Sequence, residues 1–473
     1  MIPFLLVVPA VAAALIGAWA LRARAYRRFF RYDTRRDYHV DFPAQSTSSA
    51  EIQLTGDCFS WPEEHRTSDT AILELRIKST LAGCWTEPWI EMRTRHFYAR
   101  QYFERGARGA RYLNLSALLE EPPQAGQRIW LHGFGLAWEA QTARLLGFDN
   151  AWPAQARSVI IAPHPDDAEI AAFGLYRNSN STVVTVTAGD LGTFYRGQFS
   201  TGDARATELT ARVRAWDSIT APMCGGVGPQ RAVNLGYIDS TLADAFADPE
   251  RPVTAAGIQR TVAEIRRLNL SPLIDKAVVP PTWRAFVADL VRILEKTNPD
   301  LLATPHPLLD DHPDHAFATI AVCEALEQIG ARDGRLLLYT NHTPWSNLHP
   351  VGRNDGMVSL PPHFGEPLPF RSIKSLPLSD EDQRLKLLAL ETHHDLRALP
   401  VTDAPGLTEL MRRFAADLRD QIVGFDRHAT SYFRRAVRPN EFFFIVPFSD
   451  VASLRAQFLE ARRAGKIEWH RSK

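Results

Sequence analysis

Cysteine is scarce in this chain. Cys58, Cys84, Cys224 and Cys323 are spread over 473 residues, and no two form a CxxC pair. A metal site built on thiolates has no motif to rest on, and four cysteines in so long a chain do not make a disulfide scaffold. Only Cys58 and Cys84 could pair, if neighbouring strands carry them. An excess charge of either sign is missing too: 54 Lys and Arg balance 54 Asp and Glu. No global basic field points to nucleic acid as a partner. There is no glycine-rich phosphate cradle, since Gly189-Asp190-Leu191-Gly192-Thr193 is too short for one. What remains is the composition of a globular protein with a substantial core, 45% hydrophobic and 23% charged, long enough for two or three domains.

A long apolar run stands at the start. Residues 2–21 read IPFLLVVPAVAAALIGAWAL, and twenty residues at helical rise span about 30 Å. Arg22, Arg24, Arg27, Arg28, Arg31, Arg35 and Arg36 follow it, and no Lys or Arg precedes it. A secretory signal would begin with basic residues, so it fits poorly. Residues 1–36 are therefore expected to be a single-pass transmembrane anchor with a basic flank able to meet anionic head groups. The positive-inside rule puts the rest of the chain on the cytoplasmic face. A cleaved signal or a buried helix is the plainer alternative.

Residues 37–150 change texture. Ala71-Ile72-Leu73-Glu74-Leu75-Arg76-Ile77-Lys78 alternates with period two, as do the segments at 90–93, 112–115 and 129–132, with Pro and Gly between them. This pattern predicts an antiparallel β-sandwich. Trp61, Trp85, Trp89, Trp130 and Trp138 are either a sugar-stacking platform or ordinary packing. From residue 151 to 473 strands and helices alternate. Strands are expected at 157–162, 182–187, 232–236, 300–304 and 335–340. Helices are expected at 168–177, 204–220, 258–268, 283–297 and 313–329, with further helices at 380–398 and 406–426. That alternation implies an α/β fold, a Rossmann-like, mostly parallel sheet covered by helices. The Pro-containing stretch 240–281 reads as a lid or a packed decoration. The run NHTPWSNLHPVG after residue 340 reads as loop.

Two strand ends carry chemistry. Val159-Ile160-Ile161 is a buried strand that runs into His164-Pro165-Asp166-Asp167 and then a helix. Leu301-Leu302-Ala303 is a second strand, and DDHPDH at 310–315 opens a second helix, with Asp311 as its expected cap and Pro313 in its first turn. His312 and His315, three residues apart, share one helix face. In open α/β sheets ligands bind beyond the carboxyl ends of strands. Each tetrapeptide alone is compatible with a plain turn. Together they offer three imidazoles and several carboxylates, and two His with one Asp and an open position form a catalytic zinc pattern.

The pairing of PHPDDAE with DDHPDH resembles the PIG-L-type N-acetylglucosaminyl de-N-acetylase family. Arg205-Ala206-Thr207-Glu208-Leu209 is similar to that family's RxxEL helix, Leu235-Gly236-Tyr237-Ile238-Asp239 to its LG-x-x-D strand end, and Lys386 to His393 to its late K-x-x-A-L-x-x-H segment. The likeness covers residues 155 to about 396. It departs at Ala168, where many members have Glu, and after His393, where Asp395-Leu396 replaces the family's Ser-Gln.

Residue chemistry and resemblance agree on the roles. His164, Asp167 and His315 are the candidate metal ligands, for Zn²⁺ first and for Fe²⁺ or another divalent metal second. Asp166 would be the general base. His312 would stabilise the oxyanion as a cation or protonate the leaving amine. Asp314 would orient an imidazole from the second shell. Arg205, Asp190 and His393 would contact substrate. The expected reaction is hydrolysis of the N-acetyl group of an N-acetylhexosamine in a lipid-linked or polysaccharide precursor. A metal-dependent hydrolase of another amide or a phosphoester, and a non-catalytic membrane-anchored glycan-binding protein, stay open as alternatives. Removing residues 1–36 is expected to spare a short soluble substrate, because no candidate site residue lies there.

Overall fold

In a computed structural model the chain builds two units on three sheets. The description covers residues 17 and 20–469, except 45–46, 66–67, 96, 140, 151, 154, 192–202, 256–257, 259, 278, 397–410, 412–431 and 468. Most of the apolar run at 2–21 and the helix expected at 406–426 therefore lie outside the described residues. Among the described residues no helix is long and apolar enough to cross a membrane.

The first unit is all antiparallel. One sheet joins β1 (Ser48–Gln53), β9 (Thr142–Phe148), β3 (Thr70–Ser79) and β6 (Arg108–Asn114) in that order, with β8 (Leu136–Trp138) also on β3. The other joins β2 (Cys58–Ser60), β7 (Arg128–Phe134), β4 (Trp89–Arg93) and β5 (Tyr98–Tyr102). The period-two alternation does what it must: Leu73, Leu75, Ile77, Ile90, Met92, Ile129 and Leu131 point into one shared core. Of the five tryptophans, Trp85 and Trp130 stay exposed while Trp61 and Trp89 are packed. Trp61 is in that core, and Trp89 is stacked between Phe134 and the Arg100 guanidinium. All four cysteines are free, so Cys58 and Cys84 are not paired.

The second unit is a seven-stranded sheet, ordered β12-β11-β10-β13-β14-β16-β15. Its strands are β10 (Arg157–Ala162), β11 (Asn180–Thr187), β12 (Ala232–Tyr237), β13 (Leu301–Pro305), β14 (Arg335–Tyr339), β15 (Ser372–Pro377) and β16 (Asn440–Pro447). The first five in spatial order are parallel, and β16 runs antiparallel to both its neighbours. The chain starts at β10, moves one way to β12, then returns to β13 on the other side. The gap between the ends of β10 and β13 is thus the topological switch point, where such sheets form their crevice.

The helices needed here are α1 (Asp167–Ala171), α2 (Phe173–Arg177), α3 (Asp203–Thr220), α4 (Trp283–Thr297), α5 (Pro313–Gln328), α6 (Asp380–Thr392) and α7 (Val451–Arg463). The single helix expected at 168–177 is broken at Ala172, whose φ of −137° leaves the helical region. The buried Glu441 carboxylate accepts the Gly174 and Leu175 main-chain N–H groups of the restarted piece, and Lys386 of α6 pairs with it at 2.8 Å. Stretch 240–281 is a packed decoration rather than an open lid: Leu242, Ala245, Val262 and Ile265 are buried.

The strap at the N-terminal side and the edge strand β15 are among the regions that tie the parts together. Residues 20–27 are helical and residues 28–40 run on as a strap over both units. Tyr26 and Phe30 bury against Leu348, the Arg31 N–H donates to the Trp345 carbonyl at 3.0 Å, and the Asn347 N–H donates to the Phe29 carbonyl at 2.9 Å. At the far edge, β15 offers its unpaired side to the sandwich. Ser375 N–H donates to Thr70 Oγ1 at 3.1 Å, and Asn150 Nδ2 donates to the Ile373 carbonyl at 2.7 Å.

Candidate metal centre

The turn after β10 is held in a conformation that only its surroundings can justify. Asp166 has φ of +104°, in the left-handed region that costs a non-glycine residue of order 1–3 kcal/mol. This kink separates the two neighbouring carboxylates. Asp167 Oδ2 accepts the His164 main-chain N–H at 2.8 Å, and its Oδ1 accepts Asn341 Nδ2 at 2.7 Å. Asp166 Oδ2 instead faces Arg214 Nη2 at 3.4 Å.

The turn after β13 brings in the second half. His312, not Asp311, is the N-cap of α5: its Nδ1 accepts the Asp314 N–H at 3.2 Å. Pro313 takes the first helical position, as its missing N–H allows. One turn on, His315 is fully buried and aimed back at β10.

Three donor atoms then converge. His164 Nδ1 lies 3.1 Å from His315 Nε2 and 3.4 Å from Asp167 Oδ2. His315 Nε2 lies 3.1 Å from the same Asp167 oxygen. A tetrahedral ion with bonds of about 2.0–2.2 Å separates its donors by ~3.3–3.6 Å. The second nitrogens are already used: His164 Nε2 faces Asp239 Oδ1 at 3.2 Å and Asp314 Oδ2 at 3.3 Å, and His315 Nδ1 faces Asp310 Oδ2 at 3.0 Å. Carboxylates on the outer nitrogens fix the tautomers that leave lone pairs pointing inward. Two lone pairs and a carboxylate at these distances repel one another unless positive charge lies between them. The electrostatics of the buried groups make the same demand. Burial works against an imidazolium, yet Asp167 and Asp310 push His315 up to about 10. Burial likewise works against the Asp167 anion, yet His315 and His164 hold it well below the usual carboxylate range. The residues fit a divalent cation.

Around this triangle stand groups suited to proton work. Burial and the Asp167 charge push Asp166 up to about 7, against the pull of Arg214. Burial, His164 and His315 push His312 down to about 2. Its Nδ1 is spent on the helix cap.

The expected substrate contacts are placed elsewhere. Arg205 lies exposed in the first turn of α3, and the arginine that reaches the site is Arg214, nine residues or 2.5 turns further along. Arg214 also donates to the Pro165 carbonyl at 3.0 Å and the Gly189 carbonyl at 3.2 Å, and its Nε pairs with Asp395 at 2.7 Å. Asp190 is committed to Arg260, with Nη2 at 2.6 and 2.7 Å. His393 is fully buried, 3.3 Å from Glu169, in a cluster with Asp217 and Asp395. Asp314 is fully buried, with Oδ2 3.3 Å from His164 Nε2. Sequence reading left out Asp239, Asp310, Arg214, Asn341 and His342 as site residues. Asn341 and His342 follow β14, and the strand-end rule that singled out His164 would have found them.

Residues 159–326 match the PIG-L family, described as GlcNAc-PI de-N-acetylase. The match runs from β10 through α5, so both strand-end turns of the triangle lie inside the matched segment, while Asn341, His342 and the sandwich lie outside it. The family that this segment matches is one of de-N-acetylases. Among solved structures the chain is similar to the N,N'-diacetylchitobiose deacetylase of Pyrococcus horikoshii, at 18% identity over 62% of this chain and 85% of that one, with a TM-score of 0.33. It is similar to the zinc-inhibited form of teicoplanin deacetylase Orf2, at 17% identity, 62% and 98% coverage and a TM-score of 0.33. It is also similar to A40926 pseudoaglycone deacetylase Dbv21, at 16% identity, 63% and 99% coverage and a TM-score of 0.35. Likeness at this level adds nothing to the family match. No curated protein sequence matches this chain.

Proposed function

We propose that the protein is a metal-dependent de-N-acetylase that releases acetate from an N-acetylhexosamine. The observation that carries this is the donor triangle of His164, Asp167 and His315 beside Asp166 and His312, inside a segment matched to a de-N-acetylase family. We assign His164, Asp167 and His315 as the ligands. Two nitrogens and one oxygen suit Zn²⁺ best and also accept Fe²⁺. When bound, such an ion supplies Lewis-acid polarisation of the amide carbonyl and lowers the pKa of a neighbouring water.

The chain's own residues do the rest. Asp166, titrating near neutrality, takes the proton from the attacking water as the new C–O bond forms. His312 Nε2–H donates to the oxygen on which negative charge develops. Asp166 then returns its proton to the amide nitrogen as the C–N bond breaks, giving acetate and the free amine. Arg214 holds the Asp166 turn in place through the Pro165 carbonyl and the carboxylate itself.

The apolar run at 2–21 and the exposed arginines Arg24, Arg27 and Arg28 support a membrane-bound protein acting on a lipid-linked sugar from the cytoplasmic face. A deacetylase fixed to a bilayer gains encounter rate with a substrate in that bilayer and little with one in solution. The test is incubation of the purified, Zn²⁺-loaded protein with N-acetylglucosaminyl lipids and sugar nucleotides, reading released acetate. Acetate from the lipids that disappears on chelation supports the proposal. Absence of acetate from every N-acetyl sugar, with the metal bound, overturns it.

A further inference from the structure

The loop after β14 approaches the donor triangle from a side the PIG-L match does not include. His342 lies there, and its ring centroid is 5.2 Å from that of His315. One nitrogen of His342, one of His315 and one oxygen of Asp167 all lie within 4.8 Å of one another. This is a second group of donors, and it shares the residues Asp167 and His315 with the first. Two donors on one ion with bonds of about 2.1 Å stand about 3.0 Å apart at a right angle and ~3.4 Å apart at a tetrahedral one.

The placement is built. Asp310 Oδ2, which faces His315 Nδ1, also accepts the main-chain N–H of Asn341 at 2.9 Å and of His342 at 3.1 Å. The His342 carbonyl accepts the Asp311 N–H at 3.0 Å. Asn341 Nδ2 holds the outer oxygen of Asp167 at 2.7 Å. The same short segment therefore positions two ligands of the first triangle and carries a further imidazole. His312 is nearer to His164, with centroids 4.6 Å apart. However, its Nδ1 is taken by the helix cap, where it accepts the Asp314 N–H.

We infer that His342 is a fourth protein donor of the metal centre, giving three imidazoles and one carboxylate where the family pattern supplies two and one. This rests on the proposed ligand set. A fourth donor would raise the affinity for the ion.

The test uses the full chain, stripped with a chelator and reloaded. X-ray absorption on the Zn²⁺ form counts imidazole scatterers: three are expected in the wild-type protein, two in His342→Gln and three in His312→Gln. Competition with a chromophoric chelator should show His342→Gln binding Zn²⁺ at least 10-fold more weakly, and its Co²⁺ form should change its visible spectrum. The main-chain bonds at 341–342 survive the substitution, and the wild-type count needs no variant at all. Two imidazoles in the wild type, or unchanged affinity and spectrum in His342→Gln, overturn the inference. If His315→Ala loses the metal in that case, the ligand set beneath it stands; if His164→Ala and His315→Ala both keep stoichiometric metal, the ligand set falls as well.

Discussion

The strap formed by residues 20–40 changes what truncation should do. From sequence, residues 1–36 look detachable, and soluble-substrate turnover should survive their loss. The packing says otherwise. Phe30 is 8% exposed and Tyr26 3%. Their rings lie 5.1 Å apart, and Tyr32 stands edge-on to Phe30 at 5.7 Å. Truncating a buried Phe to Ala costs about 3–5 kcal/mol, and this small satellite cluster can partly collapse, so Phe30→Ala should cost ~3 kcal/mol. That is enough to shift the docking equilibrium of the strap by about 100-fold. What it uncovers is the loop 343–350, whose Trp345 and Asn347 make main-chain bonds to the strap and whose preceding residues are Asn341 and His342. Two deletions separate the effects. Loss of residues 1–19 should leave kcat/KM on a soluble N-acetyl sugar unchanged. Loss of residues 1–36 should lower it at least 10-fold and open the chain to chymotrypsin at Trp345. Wild-type kcat/KM and an unchanged digestion pattern in the longer deletion would refute the reasoning.

Other outcomes follow from single contacts. Asp166→Asn should keep stoichiometric metal, measured by atomic absorption, and lose about 10²–10⁴-fold in kcat; loss of metal with activity would mean Asp166 is a ligand. Lys386→Met leaves the buried Glu441 carboxylate without its cation and should cost ~3–5 kcal/mol in denaturant unfolding, with part recovered in Lys386→Met/Glu441→Gln. Burial and His363 push His306 down to about 3. Its neutral form is favoured in the fold, so its contribution is complete above pH 6.5 and is lost as pH falls from there towards 3. At pH 5 that loss is about 2 kcal/mol, and the acid limb of stability against pH should be shallower by that amount in His306→Gln.

The parts of the site that could be read from sequence are those made locally. A buried strand, a polar turn and a helix start are consecutive in sequence, so His164, Asp167, His312 and His315 were visible as two compact motifs. The α/β alternation was equally local, and the strands at 157–162 and 335–340 fall within a residue of where the pattern put them. Residues chosen by tertiary placement were not visible. Arg205, Arg212 and Arg214 lie on one helix, and only the meeting of α3 with the turns after β10 and β11 selects Arg214. Asp190 looked like a crevice group because nothing in its neighbourhood announces Arg260, seventy residues away. The strap misled for a different reason: its arginines dominate the reading, while Tyr26, Phe29 and Phe30, at spacings of three and four, carry the packing.

The sandwich has a consequence beyond its own fold. β15 ends the seven-stranded sheet, and its outer side would present unpaired N–H and C=O groups in a row, a template for strand addition by another chain. Thr70 and Asn150 answer two of those groups with side chains, and Asn114 Nδ2 bonds the Ser375 hydroxyl at 3.0 Å. A side chain can satisfy an edge without extending it, so the sheet stops there. Expressed alone, residues 151–473 would keep every proposed ligand yet bare that edge, and self-association through β15 rather than misfolding of the metal centre would limit their solubility.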